Sequence, residues 1–267
     1  MSLIDKIGDG VLLYKGDCLE EMDKIPDGSV DFVLTDLPYG TTAGNCKWDK
    51  TIPFDKLWNQ YTRLLKDNGV IALFASQPFT SHLITSNSKM YRYSWVWIKS
   101  KATQFLEAKI KPMKKHEEIV VFSNHPICPC AKQNPTYNPQ GLIGLNQPKV
   151  MRHKKQSSCI SGRGNYSGRE FVKEYTNYPN SVLEFPNDGN TVHPTQKPLA
   201  LCEYFVNTYT NIGDLVLDSC MGSGTTGIAA INTDRRFVGI ELDEKYYNIS
   251  AQRISDTLAD KHGRISC

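Results

Sequence analysis

Along the first 125 residues, short apolar runs rich in β-formers alternate with stretches whose apolar positions recur at helical spacing. Val11 to Lys15 predicts a strand ending at Gly16-Asp17, and Cys18 to Ile25 predicts a helix before the turn Pro26-Asp27-Gly28. Val30 to Thr35 predicts a second strand that runs straight into Asp36-Leu37-Pro38-Tyr39-Gly40. Phe54, Leu57, Trp58, Tyr61, Leu64 and Leu65 fall on one helical face, with Asn68-Gly69 as the expected stop. Val70 to Ala75 is nearly all apolar, the pattern of a strand buried on both faces of a parallel sheet. Ser94 to Lys99 and Glu118 to Ser123 continue that sheet.

From Asn124 to about Val192 both periods disappear, in a stretch rich in Pro, Asn, Gly, Ser, Tyr and basic residues. It is too long for an ordinary loop and predicts an irregular insertion or a small appended module. Regularity returns with a helix from Pro198 to about Tyr209, a strand from Leu215 that ends at Asp218, and a Gly-rich turn. A helix through Ala229-Ala230, a strand from Phe237 to Ile240 and a helix from Asp243 complete the pattern. Such alternation predicts a three-layer α/β fold, a Rossmann-like, doubly wound, mostly parallel sheet. The chain divides accordingly into 1–124, 125–192 and 193–267.

Composition adds exclusions. At 267 residues, 40% hydrophobic and 22% charged, the chain is long enough to bury a core without disulfide staples and too apolar for wholesale disorder. Its longest apolar run, Gly69 to Ala75, is far short of the roughly 20 residues that span a bilayer, so no membrane association is expected. The opening MSLIDKIGDG lacks the cationic and apolar regions of a signal peptide, and the eight cysteines are scattered, which together point to a cytoplasmic protein with reduced thiols. Cys128 and Cys130, with His125, His153 and Cys159 nearby, could be read as a zinc knuckle. Their one-residue gap lies outside the usual spacing, and no metal is expected.

The net charge of +3 conceals an asymmetry. Residues 99–173 hold 14 Lys and Arg against four Glu and no Asp, a local charge of +10, while the remainder of the chain sums to −7. A charge run is often only a solvated face, yet one of this size also suits phosphate attraction.

Two segments carry candidate chemistry. Asp218-Ser219-Cys220-Met221-Gly222-Ser223-Gly224-Thr225-Thr226 follows a strand and opens a helix, with Glu241 ending the next strand 17 residues after Gly224. Glycines there admit close approach of backbone to a ligand, and a carboxylate so spaced can accept two ribose hydroxyls, which favours an adenosine-containing ligand over a simple tight turn. A Walker lysine is missing, which argues against ATP. Asp36-Leu37-Pro38-Tyr39 sits at a strand's carboxyl end, where open α/β sheets place ligands. Asp36 and the Leu37 carbonyl could both accept from one NH₂ group, Pro38 directs the backbone, and Tyr39 offers a stacking face. Alone, the tetrapeptide reads more readily as a turn leaving a strand.

Taken in order, these segments closely resemble the amino-group DNA methyltransferases of the permuted class in which an Asp-Pro-Pro-Tyr motif precedes the S-adenosylmethionine motif. The matching residues are Gly16-Asp17, Asp36-Leu37-Pro38-Tyr39, Trp97 with Lys99, His116-Glu117-Glu118, His193-Pro194-Thr195-Gln196-Lys197-Pro198, Asp218 to Thr226, and Val238-Gly239-Ile240-Glu241. Leu37 stands where the family has its first Pro, and Ser219-Cys220 where it commonly has Pro-Phe. The resemblance implies a circularly permuted class I methyltransferase fold, S-adenosylmethionine as cofactor, and a target-recognition region over 125–192. By the same resemblance Asp36, Leu37, Pro38 and Tyr39 are catalytic. Asp218, Gly222, Ser223, Gly224 and Thr225 cradle the methionine part, Glu241 holds the ribose, and Asp17 lies near the adenine. His193, Thr195 and Lys197 close over the methionine end; the other reading of Lys197 is a solvated helix-start lysine. Adenine N6 fits Asp36 better than cytosine N4, and a base in a duplex would be flipped onto Tyr39. Lys99, Lys101, Lys114, Lys115, Arg152, Lys154, Lys155 and Arg163 would then attract double-stranded DNA. A homodimer and a cognate restriction endonuclease are further partners that the resemblance admits. The rival readings are a cytosine-N4 enzyme, a nucleic-acid-binding protein without turnover, and a methyltransferase acting on RNA or protein.

Overall fold

The computed structural model describes residues 4–8, 10–40, 50–128, 132–152, 170–187, 189, 192 and 195–265. In chain order its elements are β1 (Ile4–Gly8), β2 (Val11–Lys15), α1 (Cys18–Glu21), β3 (Val30–Asp36), α2 (Phe54–Leu64), β4 (Leu65–Ala75), α3 (Phe79–Ser86), β5 (Tyr91–Thr103) and β6 (Lys114–Ser123). There follow β7 (Ile143–Arg152), β8 (Glu170–Thr176), β9 (Val182–Glu184), α4 (Leu199–Tyr209), β10 (Leu215–Asp218), α5 (Thr225–Asn232), β11 (Arg236–Glu241) and α6 (Glu244–Ile265). Among the described residues no helix is long and apolar enough to cross a membrane.

Nine strands form one sheet in the order β1-β2-β11-β10-β3-β4-β6-β5-β9. The central five, β2 to β4, run parallel, and β6 enters antiparallel between β4 and β5. Successive residues of the inner strands point to opposite faces. Phe32, Leu34, Val216 and Phe237 pack with Phe205, Ala229 and Ile254 from α4, α5 and α6. Val33, Leu217, Val238 and Ile240 pack with Leu57, Tyr61 and Leu83 from α2 and α3. This is the expected three-layer arrangement. The permutation is visible in the ladder: β11 pairs with β2 in parallel, Phe237 opposite Val11 through Glu241 opposite Lys15, and the Gly16 amide donates to the Glu241 carbonyl at 3.0 Å. A strand near the start of the chain thus completes a sheet whose neighbouring strand comes near its end.

Three sequence expectations change. α2 stops at Leu64, and Asn68-Gly69 lies inside β4 instead of ending the helix. A Cβ on Gly69 would come within 2.7 Å of the Leu65 side chain and 3.0 Å of the Asp31 carbonyl, so this glycine serves a close strand approach. The 124–192 stretch is not irregular throughout, since β7 pairs antiparallel with β8 and β9 joins the edge of the large sheet. The β7–β8 hairpin belongs to a compact unit of its own, Pro139–Asn180. Third, Cys128 is disulfide-bonded, against the expectation of reduced thiols; spacing along the chain does not show which thiols reach the close, specific geometry that the bond requires. Cys130, His153 and Cys159 lie outside the described residues.

Candidate active site

Chain direction away from the sheet centre reverses between β10 and β3: β10 leads through α5 to β11 on one side, and β3 through α2 to β4 on the other. The crevice at the carboxyl ends of such strands is where open α/β sheets hold ligands. A cavity of about 680 Å³ lies there. Asp36, Leu37, Pro38 and Tyr39 form one part of its wall, and Asp17, Thr195, Lys197, Asp218, Gly222, Ser223, Thr225 and Glu241 are among the residues that line the rest. Two sequence candidates stand apart. Gly224 is not in the lining: it starts α5 at φ 76, and a Cβ there would come within 2.9 Å of Ser250 on α6, so it serves helix packing. His193 lies outside the described residues.

Local chemistry explains how the acidic groups are held. Asp17 caps α1, its carboxylate accepting from the Leu19 amide at 2.8 Å. Glu241 accepts from the Gly222 amide through Oε2 and from the Asp243 amide through Oε1, both at 2.8 Å, which aims its carboxylate into the turn. Burial raises its pKa above the ordinary value, with those amides opposing. Asp218 is buried, and burial pushes its carboxyl up to about 7 despite hydrogen bonds from Thr226 and the Cys220 amide. A carboxylate with spare lone pairs, a second poised near neutrality and a glycine turn at positive φ suit a ligand that carries ribose hydroxyls and an ammonium group, so the residues fit S-adenosylmethionine. The two departures from the family pattern also find places: Leu37 packs into the core beneath the loop, and Ser219 shares a 2.7 Å hydrogen bond with the Tyr61 hydroxyl and donates its amide to Thr35.

Around Asp36 the arrangement goes beyond what the motif suggests. The Tyr39 hydroxyl donates to Asp36 Oδ1 at 2.8 Å, and the Tyr39 ring stacks on Phe79 with centroids 4.8 Å apart. Lys197, only 10% exposed, donates to Asp36 Oδ2, lies 3.6 Å from Glu117 and sits over the Phe74 ring at 5.0 Å. It is therefore not a solvated lysine. Burial alone would lower its pKa, but the Asp36 and Glu117 charges outweigh that and hold the ammonium above its ordinary value. Burial would raise the pKa of Glu117, but Lys197 with Lys99 outweighs that and lowers it from its ordinary value. Lys99 turns inward to pair with Glu117, and Lys114 donates to Ser76 with its pKa lowered by burial. Neither of these two lysines faces outward as a free phosphate contact would. Lys101 and Lys115 are exposed, Arg152 ends β7, and Lys154, Lys155 and Arg163 lie outside the described residues. Glu117 is the member of this set that motif reading leaves without a role; its only sequence signal is its place in His116-Glu117-Glu118.

Comparison with known proteins agrees with this geometry. The type II methyltransferase M.HpaI of Haemophilus parainfluenzae is 26% identical over 253 residues, covering 91% of this chain and 73% of its own. The DNA adenine methyltransferase YhdJ of Escherichia coli (strain K12) is 29% identical over 254 residues, covering 91% of this chain and 82% of its own. Among solved structures, a complex of M1.HpyAVI with S-adenosylmethionine superposes with a TM-score of 0.58 at 23% identity, covering 91% of this chain and 99% of that one. The cytosine-N4-specific PvuII DNA methyltransferase reaches 0.63 at 17% identity, covering 93% and 91%. These two share the fold. The model of the N6/N4 DNA methylase family matches residues 30–252, from the strand that carries Asp36 into the last helix, and the chain belongs to that family of amino-group DNA methyltransferases.

Proposed function

We propose that this methyltransferase is a site-specific enzyme that transfers a methyl group from S-adenosylmethionine to the N6 amine of adenine in double-stranded DNA. The observation that carries this reading is one cavity lined at once by Asp36, Leu37 and Tyr39 and by Asp218, Gly222 and Glu241. The names of M.HpaI and YhdJ, a type II methyltransferase and a DNA adenine methyltransferase, support it.

S-adenosylmethionine supplies an electrophilic methyl group on a sulfonium sulfur. Glu241 binds the ribose hydroxyls, Asp17 borders the adenine side, and Asp218 with Gly222, Ser223 and Thr225 takes the methionine part. The lone pair of an adenine amine is delocalised into its ring and weakly nucleophilic. Asp36 and the Leu37 carbonyl accept the two N–H bonds and favour the pyramidal amine of the transition state, which is stabilisation absent from the ground state. Tyr39, backed by Phe79, stacks on the flipped base. Once the nitrogen has gained its methyl group it would lose a proton to Asp36 or to solvent. Lys197 already neutralises Asp36 and Glu117. Lys197 would also suit a methionine carboxylate, and pairing with one would free one Asp36 oxygen for the amine.

Residues 125–192 serve as the target-recognition region, with Lys101, Lys115, Arg152, Lys154, Lys155 and Arg163 supplying phosphate attraction. The enzyme works in the cytoplasm of a bacterial or phage-infected cell, and its pairing as a homodimer or with a cognate endonuclease follows the habit of such systems. The test is incubation with labelled S-adenosylmethionine and unmethylated plasmid, followed by nucleoside analysis. Label in N6-methyladenine is the expected result; label in N4-methylcytosine transfers the assignment to the other amino group, and unlabelled nucleic acid refutes the proposal.

A further inference from the structure

The hairpin joining β5 to β6 ends in a tip whose composition neither the core nor the cofactor cavity explains. Phe105, Leu106 and Ile110 are 78, 98 and 85% exposed, although large apolar side chains are normally buried. Around them Lys101, Lys109, Lys111 and Lys115 are exposed, against Glu107 alone. The tip is built, not frayed. The Ala108 amide donates to the Phe105 carbonyl at 3.1 Å, the Ile110 amide to the Glu107 carbonyl at 2.9 Å, and Lys111 pairs with Glu107.

Its direction follows from the sheet. Asp36 lies opposite Phe74, Phe74 opposite Ile119, and Ile119 opposite Trp95, so these four stand in one row across β3, β4, β6 and β5. β5 runs parallel to β3 and leaves the sheet at the same edge as Asp36. From that row to Lys114, where the hairpin ladder ends opposite Thr103, β6 has five residues to cover. At about 3.3 Å per residue that is roughly 16 Å of projection beyond the Asp36 row, with the apolar tip further out.

We propose that this tip is a wedge for duplex DNA: Phe105, Leu106 and Ile110 enter the base stack next to the flipped nucleotide, while Lys101, Lys109, Lys111 and Lys115 hold the flanking phosphates. The inference rests on the DNA-methylating function above and adds how the vacated stack is held. A base drawn into the Asp36 cavity leaves apolar faces exposed to water in the duplex, and exposed apolar side chains ringed by cations complement such a gap in both shape and charge. A finger on any other edge of the sheet would have no such use.

The test compares the unaltered protein with the Phe105→Ser, Leu106→Ser double variant, which changes only exposed side chains, and with Lys109→Gln, Lys111→Gln. Probes are a duplex of about 20 base pairs, the same duplex with a one-nucleotide gap, and plasmid DNA either native or heat-denatured. The unaltered protein is expected to bind the gapped duplex about tenfold more tightly, because the gap removes the unstacking cost, and the serine variant to bind both equally. The glutamine variant should weaken both by a similar factor. Methyl transfer by the serine variant should fall about tenfold or more on native plasmid and stay within about threefold on denatured plasmid, where no stack is opened. A gap preference unchanged by the serine substitutions overturns the wedge. Conversion of a dimer to a monomer by those substitutions, read by sedimentation, also overturns it and assigns the tip to a second copy of the chain. Gap binding is read without turnover, so a protein that transfers no methyl group but keeps a tip-dependent gap preference refutes the methyl-transfer reading alone.

Discussion

Both carboxylate oxygens of Asp36 are engaged in the structure, one by the Tyr39 hydroxyl and the other by the Lys197 ammonium. Replacing Asp36 with Ala removes an acceptor for the target amine, so transfer should drop by about a hundredfold or more while binding of S-adenosylmethionine, followed by calorimetry, persists. Equal loss of both would make Asp36 a cofactor residue. Asp218 is a second point of control. Its pKa of about 7 stands well above the ordinary 3.8, so in the cofactor-free protein its contribution to stability is present at low pH and is lost as pH rises toward 7. A cofactor ammonium prefers the ionised form, and binding below pH 7 must then expel a proton. Affinity for S-adenosylmethionine should rise between pH 6 and pH 8, and Asp218→Asn should flatten that rise, which titrations across the range would check. At this scale the sequence picks out residues that meet in the cavity but not who holds them. Asp36, Tyr39 and Glu241 are legible from motif and spacing. The hold of Lys197 on Asp36 is not, because 161 residues separate them and nothing local marks the contact.

Elements were legible in proportion to how much apolar surface they bury. The face of α2 can be read from Leu57, Trp58, Tyr61 and Leu64 because one stripe of that helix meets the core. β10 and β11 are equally plain, as apolar runs ending in acids. β7 and β8 escape such reading: Val150, Met151, Phe171 and Val172 are all exposed, so neither strand shows the alternation that burial of one face imposes. Helix α5 shows a constraint of the opposite kind. A Cβ on Gly227 would come within 2.7 Å of the Phe237 ring and 2.8 Å of Ile254, the residues that clamp α5 between β11 and α6. Gly227→Ala should therefore cost about 1–3 kcal/mol by overpacking, even though alanine favours helix, and chemical denaturation would measure it. A stabilised variant would show that the clamp yields freely.

For the molecule as a whole, the charge asymmetry is a statement about salt. Of the basic residues in 99–173, Lys99 and Lys114 are committed to Glu117 and Ser76, which leaves fewer for phosphate than the sequence total implies. Replacing Lys154 and Lys155 with Gln should weaken DNA binding across all sequences and reduce the slope of log K against log salt by about 1 to 2. An unaltered slope would place that pair away from DNA. The sheet order has a temporal consequence as well. Because β2 finds its parallel neighbour only in β11, one of the first strands made must wait for one of the last. At about 5–20 residues per second, a ribosome takes tens of seconds to travel from Lys15 to Glu241. For most of that interval the nascent chain holds Asp17 and Asp36 but neither Asp218 nor Glu241. A half-made chain therefore lacks two of the acids that border the cavity, and methyl transfer has to wait until translation is nearly done.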